Sequence, residues 1–224
     1  MFFRSVFFLF LSFTIASTSL AGWGNGGGRR GGQGFGQNQS QNQSQNQNQG
    51  LSVQEAEQLG YLREEEKVAR DVYLQLNARW GLYLFSNIAT AEQRHMDSVM
   101  NSLNQYGLTD SALAQRGLFS DPQLQSLYDT LIAQGEESEI AALRTGALIE
   151  EVDMQDLDNM IASTEKSDLI GMYEKLHCGS RNHLRAFVRQ MEYRGLVYRA
   201  QVLDQEIVDG IVDTPMERRC GANR

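Results

Sequence analysis

Residues 63–76 read REEEKVARDVYLQL. Three consecutive glutamates lead into a run with the pattern of an amphipathic helix, in which Leu62, Ala69, Tyr73 and Leu76 share one face. Glu66 falls on that face, four residues after Leu62 and three before Ala69, and Glu65 borders it. A carboxylate aimed into an apolar stripe is unfavourable unless it is paired, protonated or bound to a cation. What else points inward beside Glu66 therefore decides both fold and function.

The helix around this stretch is predicted from Ser52, an N-cap with Glu55 three residues on, to about Trp80, where Gly81 ends it. A second helix runs from about Ser86 to Tyr106, closed by Gly107; a third from near Glu137 to about Ile161; a fourth from about Lys166 to Tyr193, closed by Gly195. Residues 108–135 form a long connection between the second and third. It holds an N-cap and N1 proline, Asp121-Pro122, and a short helix over 123–133. A last short helix is expected over 197–208, before a loose tail. With 2 prolines in 224 residues and no strand-like alternation, the body is all-α. Short turns within the outer pairs and a long crossover between them give the connectivity of a ferritin-like four-helix bundle.

Each of the four helices carries polar residues on its apolar face. On the second, Glu92 and His95 lie with Ile88, Val99 and Tyr106; Glu-x-x-His places both side chains one turn apart, able to reach one cation. Alone that pattern also fits a satisfied buried salt bridge. On the third, Glu150 sits in the stripe of Leu143, Ala147, Met154, Leu157 and Ile161, flanked by Glu151 and Asp153. On the fourth, Ser180 and His183 lie between Leu169, Tyr173, Leu176 and Phe187, Gln190. Glu66, Glu92, His95, Glu150 and His183 would meet at mid-height of a bundle. Carboxylates with one or two imidazoles suit iron or manganese better than zinc. Tyr73, two turns from Glu66, is placed to hydrogen-bond a ligand carboxylate or simply to fill the core. Met96, Met154, Met160 and Met172 read as core filler, and Trp80 and Phe85 as an apolar plug at the first turn.

The chain resembles the ferritin-like superfamily. EKVARDVY from Glu66 is similar to the E-x-x-A-R-x-x-Y of rubrerythrin-type first helices, and IATAEQRH from Ile88 to their A-E-x-x-H. REEEKVARDVY, FSNIATAEQRHMD and GSRNHLRAF resemble signatures of an uncharacterised prokaryotic branch of that superfamily, over residues 51–195. The resemblance implies a dinuclear iron site, with manganese as the alternative, held by Glu66, Glu92, His95, Glu150 and His183. It further implies oxygen or peroxide as reaction partner, and ferroxidase- or peroxidase-like chemistry. One departure stands out: Ser180 occupies the place of a fourth-helix glutamate. Either the site lacks a ligand or another carboxylate fills in. Glu174, within Glu174-x-x-His177, is the candidate, although both lie on a different face from His183 unless Gly179-Ser180 kinks the helix. Glu65, Tyr73, Glu151, Glu174 and His177 complete the set of expected supporting residues.

Residues 1–21 read as a secretory signal peptide, with Arg4, an apolar centre and Ser19-Leu20-Ala21 as a cleavage site, so the protein is expected to be exported. Residues 22–50, Gly-rich and then repeating Gln, Asn and Ser, read as a disordered tether. Residues 51–195 form the bundle, and 196–224 the short helix and tail. The net charge of −8 argues against nucleic acid and anionic membrane surfaces as partners. No stretch of the mature chain is apolar enough to span a bilayer; a homodimer is compatible with the pattern. Cys178 and Cys220 are the 2 cysteines of the chain and can form one disulfide in an oxidising compartment. The competing class is a non-catalytic bundle that binds or senses a metal, or whose inward charges form a salt-bridge network with Arg70 or Arg181.

Overall fold

The capping box closes as the sequence predicts. In the computed structural model, which describes residues 50–218 and Cys220, the Glu55 amide donates to Ser52 Oγ at 3.1 Å and the Ser52 amide to Glu55 Oε2 at 2.7 Å. This starts α1 (Val53–Trp80). Gly81, at φ 69°, ends it in the left-handed conformation that glycine adopts without strain. The expected signal peptide, and the tether apart from Gly50, lie outside the described residues.

α2 (Tyr83–Gln105) begins three residues ahead of the expected Ser86, because the turn is only Gly81 and Leu82. Ser86 lies inside the first turn, with its hydroxyl donating to the Tyr83 carbonyl at 3.0 Å. α3 (Pro122–Gly135) starts on Asp121, whose carboxylate accepts from the Gln123 and Leu124 amides. α4 (Glu139–Ser163) is capped by Ser138, and α5 (Ser167–Glu192) runs unbroken through Gly179-Ser180, so no interruption there redirects Glu174. The final helix is α6 (Gln205–Val212), not 197–208; residues 196–204 are irregular and held by Glu151. Among the described residues there is no strand, and no helix is long and apolar enough to cross a membrane.

Contacts between helix ends set the directions. Thr164 Oγ1 donates to Glu55 at 2.6 Å, joining the start of α1 to the end of α4. Tyr106 donates to Asp168 at 2.6 Å, joining the end of α2 to the start of α5. Trp80 Nε1 donates to the Gly135 carbonyl at 2.9 Å, so the crossover returns to the end of α1 before α4 begins. The result is an all-α bundle in which α1 packs chiefly on α2 and α4 on α5.

The charged run of α1 also holds the crossover. Glu64, Lys67 and Asp71 lie at three- and four-residue steps on one face. Glu64 accepts from the Ser120 amide at 3.0 Å and the Asp121 amide at 3.2 Å. Lys67, 1% exposed, donates to Asp71 at 2.7 Å and to the Gln115 and Leu118 carbonyls at 3.0 and 2.9 Å, and its ammonium lies 4.1 Å from the centre of the Phe119 ring. Backbone groups of the loop that would otherwise lack partners are satisfied by these charges. Glu65 and Glu66 face the other way, into the bundle.

The apolar core is split by that inward polar layer. One cluster contains Tyr73, Phe85, Ile88, Leu143, Ala147, Leu184 and Phe187; the other contains Leu59, Leu62, Val99, Leu103, Leu157 and Leu176. Glu66, Glu92 and His183 lie between the two along their helices. Met96, Met154, Met160 and Met172 are all buried, as core filler should be. Cys178 and Cys220 are joined in a disulfide, and the tail is held further by Glu217, which pairs with Arg181 at 2.6 Å and Arg185 at 3.0 Å.

Candidate metal centre

Four helices deliver the five residues expected at the centre. On α2, the three-residue step aims Glu92 and His95 the same way, and His95 Nδ1 lies 2.7 Å from Glu92 Oε2 and 3.3 Å from Glu66 Oε2 of α1. On α5, His183 Nδ1 lies 2.8 Å from Glu92 Oε1 and 3.3 Å from Glu150 Oε2 of α4. Two triads result, Glu66–Glu92–His95 and Glu92–Glu150–His183, each with ligand atoms within 4.8 Å of one another. They share Glu92, which offers one oxygen to each imidazole. The two rings stand 5.6 Å apart, centre to centre.

The geometry is that of ligands facing a common point. Glu92 Oε1 and His183 Nδ1 are 2.8 Å apart, yet each is buried without a hydrogen-bond partner, as is Glu66 Oε1. Atoms coordinated to one cation at about 2.1 Å stand roughly 3 Å apart with no donor aligned between them. These orphaned lone pairs therefore fit a metal ion.

Charge points the same way. Glu65, Glu66, Glu92, Glu150 and Asp153 are all buried, and among the described residues the salt bridges to this layer come from His95 and His183. Arg70 binds Asp71 and Gln93, and Arg181 binds Glu217 and His177, so neither arginine supplies the salt-bridge network considered above. Burial raises Glu66 to about 7 against the opposing pull of His95. It also raises Glu150, and Glu65 and Asp153 well above the carboxylate range, with neighbouring carboxylates adding to the effect. Burial pushes Glu92 upward too, but His183 and His95 outweigh it and hold Glu92 low. Burial lowers the two imidazoles, but their carboxylates outweigh it, raising His95 well above its ordinary value and His183 to about 10.

The metal-free site thus holds protons at neutral pH that a cation must displace. Raised pKa values in the folded state mean stability that is present at low pH and lost as pH rises, through about 7 for Glu66 and about 10 for His183. Glu92 contributes the opposite dependence, confined to acid. Chelator-treated protein should therefore melt at lower temperature at pH 9 than at pH 6, losing about 1.4 kcal/mol per pH unit for each excess proton bound by the folded state. Divalent cations should bind with proton release and more tightly as pH rises. Melting curves and calorimetry in two buffers check both.

The supporting residues divide. The Tyr73 hydroxyl donates to Glu150 Oε1 at 2.5 Å, fixing that carboxylate so that its other oxygen faces His183. Tyr73, Phe85 and Phe187 pack with tilted rings, 5.4 to 6.0 Å between centres, in the aromatic wall on that side. Glu65 is buried with both oxygens unpartnered, close to Asp156 and Asp153. Glu174 is exposed and does not replace the missing glutamate. His177 turns to Asp158 at 3.2 Å and to Arg181. Glu151 points away from the site, accepting from Tyr198 at 2.5 Å and from the amides of Gln201, Val202 and Leu203. Gly179 has a steric role: a Cβ there would lie 2.5 Å from His95 Nε2. In the sequence Asp153 stands out only as a flank of Glu150; its three-residue step from Glu150 is the available signal.

A helical bundle with a buried layer of carboxylates and imidazoles defines the class. The chain belongs to the family described as "Uncharacterized protein domain (DUF2202)", which matches residues 55–215. It is 44% identical over 175 residues to "Uncharacterized protein MJ0754" of Methanocaldococcus jannaschii, covering 78% of this chain and 94% of that one. The "Crystal structure of hypothetical protein MJ0754 from Methanococcus jannaschii" superposes with a TM-score of 0.74 at 43% identity, over 75% of this chain and 97% of that one.

Proposed function

We propose that this chain is a ferritin-like metalloprotein with a dinuclear iron site, and that it acts as a ferroxidase- or peroxidase-like oxidoreductase. The observation that carries this reading is the buried pair of triads joined through Glu92, with orphaned ligand atoms and, among the described residues, no lysine or arginine in the salt bridges to it. The paired antiparallel helices with a long crossover support the ferritin-like arrangement.

Glu66 and His95 would hold one ion, Glu150 and His183 the other, and Glu92 would lie between them. A bound iron pair supplies one-electron changes between the ferrous and ferric states, with oxygen or peroxide as oxidant. The protein's part would be to hold these five side chains facing one another. Tyr73 keeps Glu150 oriented, while the aromatic wall excludes water on one side. The Cys178–Cys220 disulfide supports export to an oxidising compartment.

Anaerobic addition of ferrous iron, followed by air or peroxide, tests the reading. Two irons per chain and a new ferric absorption band are expected. A protein that retains neither iron nor manganese contradicts it, and one unreactive ion per chain favours binding or sensing over catalysis.

A further inference from the structure

Ser180 leaves the fourth helix one carboxylate short of the ferritin-like pattern, and the structure has a carboxylate directly opposite. Asp153 follows Glu150 by three residues on α4, so both project toward the bundle centre one turn apart. Asp153 is 7% exposed and Ser180 fully buried. The Ser180 hydroxyl donates to Asp153 Oδ2 in a short hydrogen bond, while Oδ1 is buried with no partner. That hydroxyl also lies 3.0 Å from the Leu176 carbonyl, which ties it to the backbone of α5. The charges facing Asp153 are those of Glu66, Glu150, Glu92 and Glu65. A carboxylate with an empty oxygen among four others has no structural partner adequate to its burial.

We infer that Asp153 is a further ligand of the metal centre, supplied by α4 in place of a glutamate on α5, and that Ser180 is its positioning residue. This rests on the dinuclear reading above. With Asp153 the centre has four carboxylates and two imidazoles. The Glu-x-x-Asp of α4 and the Ser-x-x-His of α5 then divide between two helices what a single Glu-x-x-His would supply. The serine hydroxyl fixes one oxygen of Asp153 and leaves the other free, the role of an outer-shell partner to a ligand carboxylate.

The test is anaerobic titration of the full chain with ferrous iron and, separately, with manganese, for wild type, Asp153→Asn and Ser180→Ala. Metal-free melting curves are recorded alongside. Wild type is expected to bind two ions. Asp153→Asn should bind one at concentrations that saturate wild type, and melt no lower than wild type without metal, because a crowded carboxyl becomes a neutral amide. Ser180→Ala should keep both ions, one of them about 10- to 100-fold weaker. Two ions bound to Asp153→Asn with wild-type affinity would overturn the inference. So would a metal-free Asp153→Asn protein that melts well below wild type, since Asp153 would then be a structural residue. A wild type that binds no metal removes the dinuclear reading itself, a result distinct from either.

Discussion

Glu92→Ala is expected to abolish binding of both ions while the protein remains folded. Glu66, His95, Glu150 and His183 each belong to one triad; Glu92 belongs to both, with Oε2 at 2.7 Å from His95 Nδ1 and Oε1 at 2.8 Å from His183 Nδ1. Removing it takes one member from each triad, and affinity for each ion should fall by more than about 100-fold, the upper end for loss of an outer-shell partner. The fold tolerates the change because both imidazoles can shed the protons that Glu92 now helps them hold. Glu66→Ala or Glu150→Ala should instead weaken one position each. Metal analysis after gel filtration separates these outcomes, with circular dichroism as the check on folding.

Glu151→Ala should do the reverse, leaving metal content unchanged and destabilising the fold. Its buried carboxylate accepts from the Tyr198 hydroxyl and from the Gln201, Val202 and Leu203 amides at 3.0, 2.7 and 2.8 Å. It is the fastening that holds residues 196–204 against α4. Truncation leaves those donors without an acceptor, at about 3–5 kcal/mol, or a fall in melting temperature on the order of 10 °C. Residues 196–204 should also gain hydrogen exchange. The adjacent glutamates 150 and 151 would then be shown to serve metal and fold separately.

The sequence made helix ends legible wherever a side chain or a glycine marks them. Ser52 with Glu55, Gly81, and Asp121 with Pro122 each act as read. It was misleading at α2, where Leu82 caps without a side-chain bond and Ser86 offered a false start. The last helix was misplaced because Leu196, Tyr198, Val202 and Leu203 meet the core from an irregular segment. That segment is shaped by Glu151, a contact about 50 residues away in sequence. At the site, Glu66, Glu92, His95, Glu150 and His183 were legible because each lies on an apolar helical face, and periodicity reports facing directly. Glu174 drew attention as part of a Glu-x-x-His, yet its helical face already placed it outside. Asp153 was legible only as a flank of Glu150, since its role depends on Ser180 of another helix. The same limit applied to Glu64 and Lys67, whose partners are backbone groups of the crossover.

The most direct test of the metal centre is anomalous diffraction from crystals soaked in manganese at saturating concentration. The expected result is two peaks per chain on either side of Glu92, one beside His95 Nδ1 and Glu66, the other beside His183 Nδ1 and Glu150. The absence of any peak at Glu92, with the side chains ordered, would contradict the dinuclear site and leave a buried carboxylate layer balanced by protons alone.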